Sequence, residues 1–98
     1  LSAKVGASEI YHAMSHELVF AEGSLDAIVA ACVKSAFFVM RALRYAKTGE
    51  YPPSRTAMRE LATEQEAMFL DAYDNPDAFE TGELAHALLT WSSSIVSL

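Results

Sequence analysis

Cysteine is almost missing from this 98-residue chain: Cys32 is the only one, so no internal disulfide can form. It lies in the apolar run AIVAACV (27–33), where a free thiol behaves as a small hydrophobe. A reducing, cytoplasmic setting is therefore expected. Long apolar runs are missing too. AIVAACV and AFFVM (36–40) are separated by Lys34 and Ser35. Each falls short of the roughly 18 to 20 residues of a membrane span, so no membrane partner is expected. The N-terminus lacks the basic, apolar, small-residue order of a secretion signal. It also lacks an initiator methionine at Leu1, which suggests a chain processed or cut from a longer one. There is no internal repeat, no low-complexity segment and no convincing strand pattern.

What is present is a globular balance, with 52% apolar and 20% charged residues. Residues 1–98 make one domain, which buries roughly two-thirds of its unfolded surface without a disulfide or metal staple. The net charge of −6 makes nucleic acid an unlikely partner. Its distribution says more than its sum. Residues 1–33 carry one base and four acids, residues 34–59 six bases and one acid, and residues 60–83 eight acids and no base.

The pattern predicts four main helices. The first spans about 8–22, with Ser8 as N-cap and Ile10, Met14 and Leu18 recurring every fourth residue. Gly23 ends it and Ser24 caps the second, which runs to about Lys47. The second carries a stripe from Leu25 through Val29, Cys32, Ala36 and Met40 to Leu43, widened by Val33, Phe37, Phe38 and Val39. So broad a band marks a central helix packed on more than one side. Gly49 supplies a left-handed stop and Pro52 and Pro53 follow it. Ser54 starts the third helix, and Thr63-Glu64-Gln65-Glu66 matches a capping box, so a fresh start is expected at Thr63. Asn75-Pro76 opens a short turn and Thr81 the last helix. There Leu84, Leu88, Trp91, Ile95 and Leu98 alternate steps of four and three, a bundle seam. The expected fold is all-α: an up-and-down four-helix bundle with a long central second helix and a third helix broken near Thr63.

Few residues suggest chemistry. His12 and His16 project from one helix face, but two histidines make half a metal site and no HExxH accompanies them. They read as ordinary surface or interhelix histidines, and no metal or cofactor is expected. Trp91 reads as core. Ser92, Ser93 and Ser94 lack a GxSxG context, and Cys32 lacks an activating neighbour, so a nucleophilic catalyst is not expected. The acids of residues 60–83 form a solvated face or attract a cationic ligand or basic partner. The bases are the stronger lead. Lys34, Arg41 and Arg44 share a face of the second helix, and Arg55 and Arg59 begin the next. A reversal at Gly49 brings these groups towards one another, with Tyr45 and Tyr51 between them. Guanidinium groups so placed suit phosphates or carboxylates, or they pair with the acids of residues 60–83.

The segment RALRYAKTGEYPPSRTAMREL (41–61) combines Arg41 seven residues before Thr48-Gly49, Pro53 four after the glycine, and Ala57 opening the next helix. With the preceding AACVKSAFFVM, it resembles the helix-turn-helix segment of the helical domains that accompany nucleotidyltransferases. These are the C-terminal domain of aminoglycoside adenylyltransferases and the related HEPN substrate-binding bundles. The resemblance implies a bundle that packs beside a catalytic domain and forms one wall of its substrate cleft. The catalytic Gly-Ser motif and metal-binding aspartates of such enzymes are not here. The one Gly-Ser dipeptide, Gly23-Ser24, is a helix connection with no strand behind it. The late Arg/His pair of HEPN ribonucleases is missing as well, which counts against a nuclease.

The resulting expectation is a non-catalytic substrate-binding or adaptor domain, with Arg41, Arg44, Tyr45 and Arg55 lining a polar wall for phosphate or substrate. Its partner would be a nucleotidyltransferase catalytic domain or chain. The alternative is a helical dimerisation or regulatory module, a homodimer through the 84–98 seam with no small-molecule site. An enzyme in its own right would need His12 and His16 to be metallated.

Overall fold

A computed structural model describes residues 3–20 and 25–97, with the side chains of 17–20 left aside. It is all-helical, with no strand among the described residues: α1 (Ala3–Phe20), α2 (Leu25–Thr48), α3 (Arg55–Leu61), α4 (Glu64–Asp74), a 3-10 turn (Pro76–Ala78) and α5 (Thr81–Val96). The expectations placed on Gly23, Ser24, the Leu18 side chain and Leu98 lie outside the described residues.

The first helix begins earlier than its polar signal suggested. Ser8 is an interior residue, because Ala3 and Ala7 extend the Ile10–Met14 stripe by two turns. Ala7, Ile10 and Met14 are buried, and α1 packs along both α5 and α2. Small residues give a weak hydrophobic signal, yet they let a helix approach its neighbours closely.

The second helix ends where expected, one residue past Lys47. At 24 residues it is about 36 Å long, nearly the 39 Å length of the molecule. It packs against α1, α4 and α5. Val29, Cys32, Val33, Ala36, Val39 and Met40 face the core. Phe38, on the far side, is 60% exposed. The broad apolar band is thus only partly covered.

The expected third helix is two helices. Ala62 leaves the helical conformation (φ −73°, ψ 145°) and Thr63 caps a new start. Both halves of the capping box form: Glu66 N–H donates to Thr63 Oγ1 (3.3 Å), and Thr63 N–H donates to Glu66 Oε1 (3.1 Å). Ser54 caps α3 through Ala57 N–H, and the Asn75 side chain caps the 3-10 turn through Asp77 N–H. Thr81 begins α5 as expected, but its hydroxyl bonds Asp26 at the start of α2. The first turns of α2 and α5 therefore meet, whereas the first turn of α4 meets the last turns of both. Leu84, Leu88, Trp91 and Ile95 are buried, so the α5 seam faces the domain's own core.

Candidate functional site

The geometry of the basic segment starts at its turn. Gly49 adopts φ +79°, and its N–H donates to Tyr45 O (2.7 Å), closing the last turn of α2. Thr48 Oγ1 donates to Arg44 O (2.9 Å) and accepts from Glu50 N–H (3.3 Å). The reversal stacks Tyr51 on Tyr45, with ring centroids 4.5 Å apart and planes within 13°. Both rings stay about half exposed.

Arg41 lies against this stack. Its guanidinium carbon is 5.3 Å from the Tyr51 ring centroid and 5.8 Å from that of Phe37. The guanidinium thus rests against two π faces, an arrangement that holds a cation in place without neutralising it. Among the described residues Arg41 has no carboxylate partner, and its buried Nε has no hydrogen bond.

Arg44, one turn on, reaches α4 instead. Its Nη2 donates to Glu66 Oε1 (2.6 Å) and to Leu61 O (2.8 Å). The pair is shielded from solvent, with side chains 11% and 3% exposed. Glu66 Oε2 accepts from Trp91 Nε1 (3.2 Å), and the Trp91 ring meets Phe69 edge-on at 5.2 Å. One carboxylate thus receives a guanidinium, a backbone N–H and an indole N–H. Such saturation is what allows an ionised group to be buried.

Arg55 and Arg59 turn to the acidic segment. Arg55 reaches Asp74 at 2.6 Å and lies 4.8 Å from the Tyr73 ring centroid. Arg59 reaches Asp71 at 2.5 Å and Asp74 at 3.7 Å. These exposed pairs tie α3 to α4. Of the four residues expected to form one polar wall, Arg41 and Tyr45 share the turn surface. Arg44 is enclosed with Glu66, and Arg55 is paired beside α4.

Sequence reasoning missed the joint role of Glu66 and Trp91. The signal was present, since Glu66 continues the Phe69–Tyr73 stripe of α4, and an acid on an apolar stripe calls for a buried partner. Which base answers it could not be read from spacing.

The other candidates stay separate. His12 and His16 are exposed on α1, His86 is exposed on α5, and no group of three potential ligands for a metal forms among the described residues. Ser92 and Ser94 hydroxyls donate to backbone carbonyls of their own helix, Leu89 O and Trp91 O. Cys32 is buried, and burial pushes its thiol pKa up to about 11, away from reactivity. No described helix is long and apolar enough to cross a membrane.

Comparison with known proteins adds no relative: no family model, no curated protein and no solved structure matches this chain.

Proposed function

We propose that this chain is a non-catalytic helical adaptor, docking an acidic segment of a partner protein on the outer face of α2 and the turn that follows. The observation that carries this reading is Arg41, a guanidinium set against Phe37 and Tyr51 without a carboxylate, in a segment where Arg44, Arg55 and Arg59 all have one. Exposed Phe38, Tyr45 and Tyr51 supply apolar contact beside that charge. Between Asp26 and Glu50 the sequence holds no acid. Arg41 of this face has no ion pair among the described residues, so the face is complementary to carboxylates.

The resemblance of residues 41–61 to nucleotidyltransferase-associated domains makes a nucleotidyltransferase catalytic chain the first partner to try. In that reading α1, α2, α4 and α5 act as an up-and-down four-helix bundle in the cytoplasm, and Arg41 and Tyr45 are the residues that touch the partner. A homodimer is less favoured: two copies of this face would oppose like charges, and the α5 seam is inside the domain.

Titration followed by NMR tests the reading, using an amphipathic Glu/Leu helical peptide, its Lys/Leu counterpart and ATP as probes. The Glu/Leu peptide is expected to shift the Phe38, Tyr45 and Tyr51 ring signals, and Arg41→Ala is expected to abolish the shift. Equal response to the Lys/Leu peptide would overturn it. Response to ATP alone would replace the protein partner with a phosphate ligand. Sedimentation of the free chain covers the second copy, since a dimer lost in Phe38→Asp would make the face a self-interface.

A further inference from the structure

A cleft of about 560 Å³ opens at the other end of α2, between α2, the end of α4 with its 3-10 turn, and the start of α5. That volume lies within the range of small-molecule sites. Its floor is apolar and fully built: Val29, Val33, Ala72 and Leu84 all belong to the buried core. Tyr73 and Phe79, both half-buried, stand at its sides. The described residues therefore shape a concave apolar surface that their own side chains do not fill.

The rim of this cleft has a sign. Asp26, Asp77 and Glu80 line it with exposed carboxylates, against one ammonium, that of Lys34. Asp26 is held by the Thr81 hydroxyl, which fixes one carboxylate at the mouth. The acids come from three separate places, namely the first turn of α2, the 3-10 turn and the residue before α5. No lysine or arginine follows Arg59 in the sequence, and His86 of α5 does not line the cleft, so neither the 3-10 turn nor α5 supplies a cation to the rim. An apolar floor beneath an anionic rim complements a molecule with an apolar body and a cationic head.

We propose that this cleft is a binding site for a small hydrophobic amine, its apolar body on Val33, Ala72 and Leu84 and its ammonium group at the rim beside Asp26, Asp77 and Glu80. The site is distinct from the docking face around Arg41, and a ligand there leaves that face free. Binding needs no covalent step and no metal. Because the rim carboxylates are exposed, the head-group contribution weakens with salt while the apolar contribution does not.

Phenylbutylamine, phenylbutanol and phenylbutyrate share one apolar body and differ in charge, so calorimetric titration of the intact chain with each separates floor from rim. The amine is expected to bind most tightly, the alcohol more weakly and the carboxylate weakest. Asp77→Asn with Glu80→Gln should weaken the amine about tenfold, equivalent to roughly 1.4 kcal/mol, and leave the alcohol unchanged. Glu9→Gln, a charge change on α1, should alter neither. Ala30→Phe places a ring into the cleft from an exposed position of α2 and should abolish binding of all three probes. Circular dichroism and NMR spectra of each variant separate lost binding from lost folding. Equal affinity for amine and carboxylate, tighter binding of the carboxylate, or no binding of the amine to the folded chain would each overturn the proposal.

Discussion

Arg44 and Glu66 stand 22 residues apart in the chain and 2.6 Å apart in the fold, with both side chains almost closed off from water. The contact joins the last turns of α2 to the first turn of α4. Through Trp91 Nε1 it also reaches the last turns of α5, so three helices converge on one carboxylate. The same carboxylate completes the capping box of α4, which makes a local helix start and a tertiary contact depend on one residue.

Breaking that pair should be expensive. Glu66→Ala leaves the Arg44 guanidinium enclosed without its carboxylate, and a loss of about 3–5 kcal/mol is expected. The total stability of a domain this size is only about 5–15 kcal/mol, so urea unfolding should show a large fall in midpoint. The double change Arg44→Met with Glu66→Leu should recover part of the loss, because no unpaired charge remains inside, while the Trp91 N–H and the Thr63 N–H still lose their acceptor. Trp91→Phe keeps most of the ring contact with Phe69 but removes one donor, and should cost about 1–2 kcal/mol.

Arg41 and Arg44, one turn apart, should respond oppositely in the two assays. Arg44→Ala is expected to unfold the chain at markedly lower urea concentration, as Glu66→Ala does. Arg41→Ala removes only cation–π contacts at a partly exposed site and should cost no more than about 1 kcal/mol. Its effect should appear in binding of the acidic peptide instead. If both variants lose stability equally, Arg41 is structural.

The turn at Gly49 gives a test of backbone strain alone. A Cβ there would meet nothing within 4 Å, so any cost of Gly49→Ala comes from its φ of +79°. The expected loss is about 1–2 kcal/mol, with Gly49→Asn losing less because asparagine tolerates this region better. Equal stability of the alanine variant and the parent would show that the turn relaxes.

Cys32 offers a pH test with a defined sign. Burial raises its thiol from 9.0 to about 11 in the folded chain. Between those values the unfolded chain has released the proton and the folded chain has kept it. The stability tied to the neutral thiol is therefore complete below about pH 9 and is lost as pH rises towards about 11. Cys32→Ala should flatten this part of the stability profile. Alkylation of the folded parent at pH 8 should be slow and should track unfolding in urea.

Much of the helix plan was legible because helix ends are written in neighbouring residues. Ser54, Thr63 and Asn75 each cap through a backbone N–H two or three residues ahead, and Gly49 stops α2 by its own conformation. The start of α1 was not legible, because its first turns rely on Ala3 and Ala7 fitting against other helices. Ser8 was a good local signal overridden by that packing. The basic cluster was legible as a cluster but not as a set of roles.

The sequence by itself determined the all-helical character, most of the stops and starts, and the division of charge into acidic, basic and acidic segments. These follow from interactions that span a few residues. Only the tertiary structure decided that Arg44 turns inward to Glu66 and Trp91, that Arg55 and Arg59 clasp α4, and that Arg41 rests on Phe37 and Tyr51 without a carboxylate. Residues three or seven apart on one helix differ by small rotations about its axis, and which rotation meets a carboxylate depends on where another helix passes. Spacing along one helix therefore names the candidates, and the packing of α4 and α5 assigns their work.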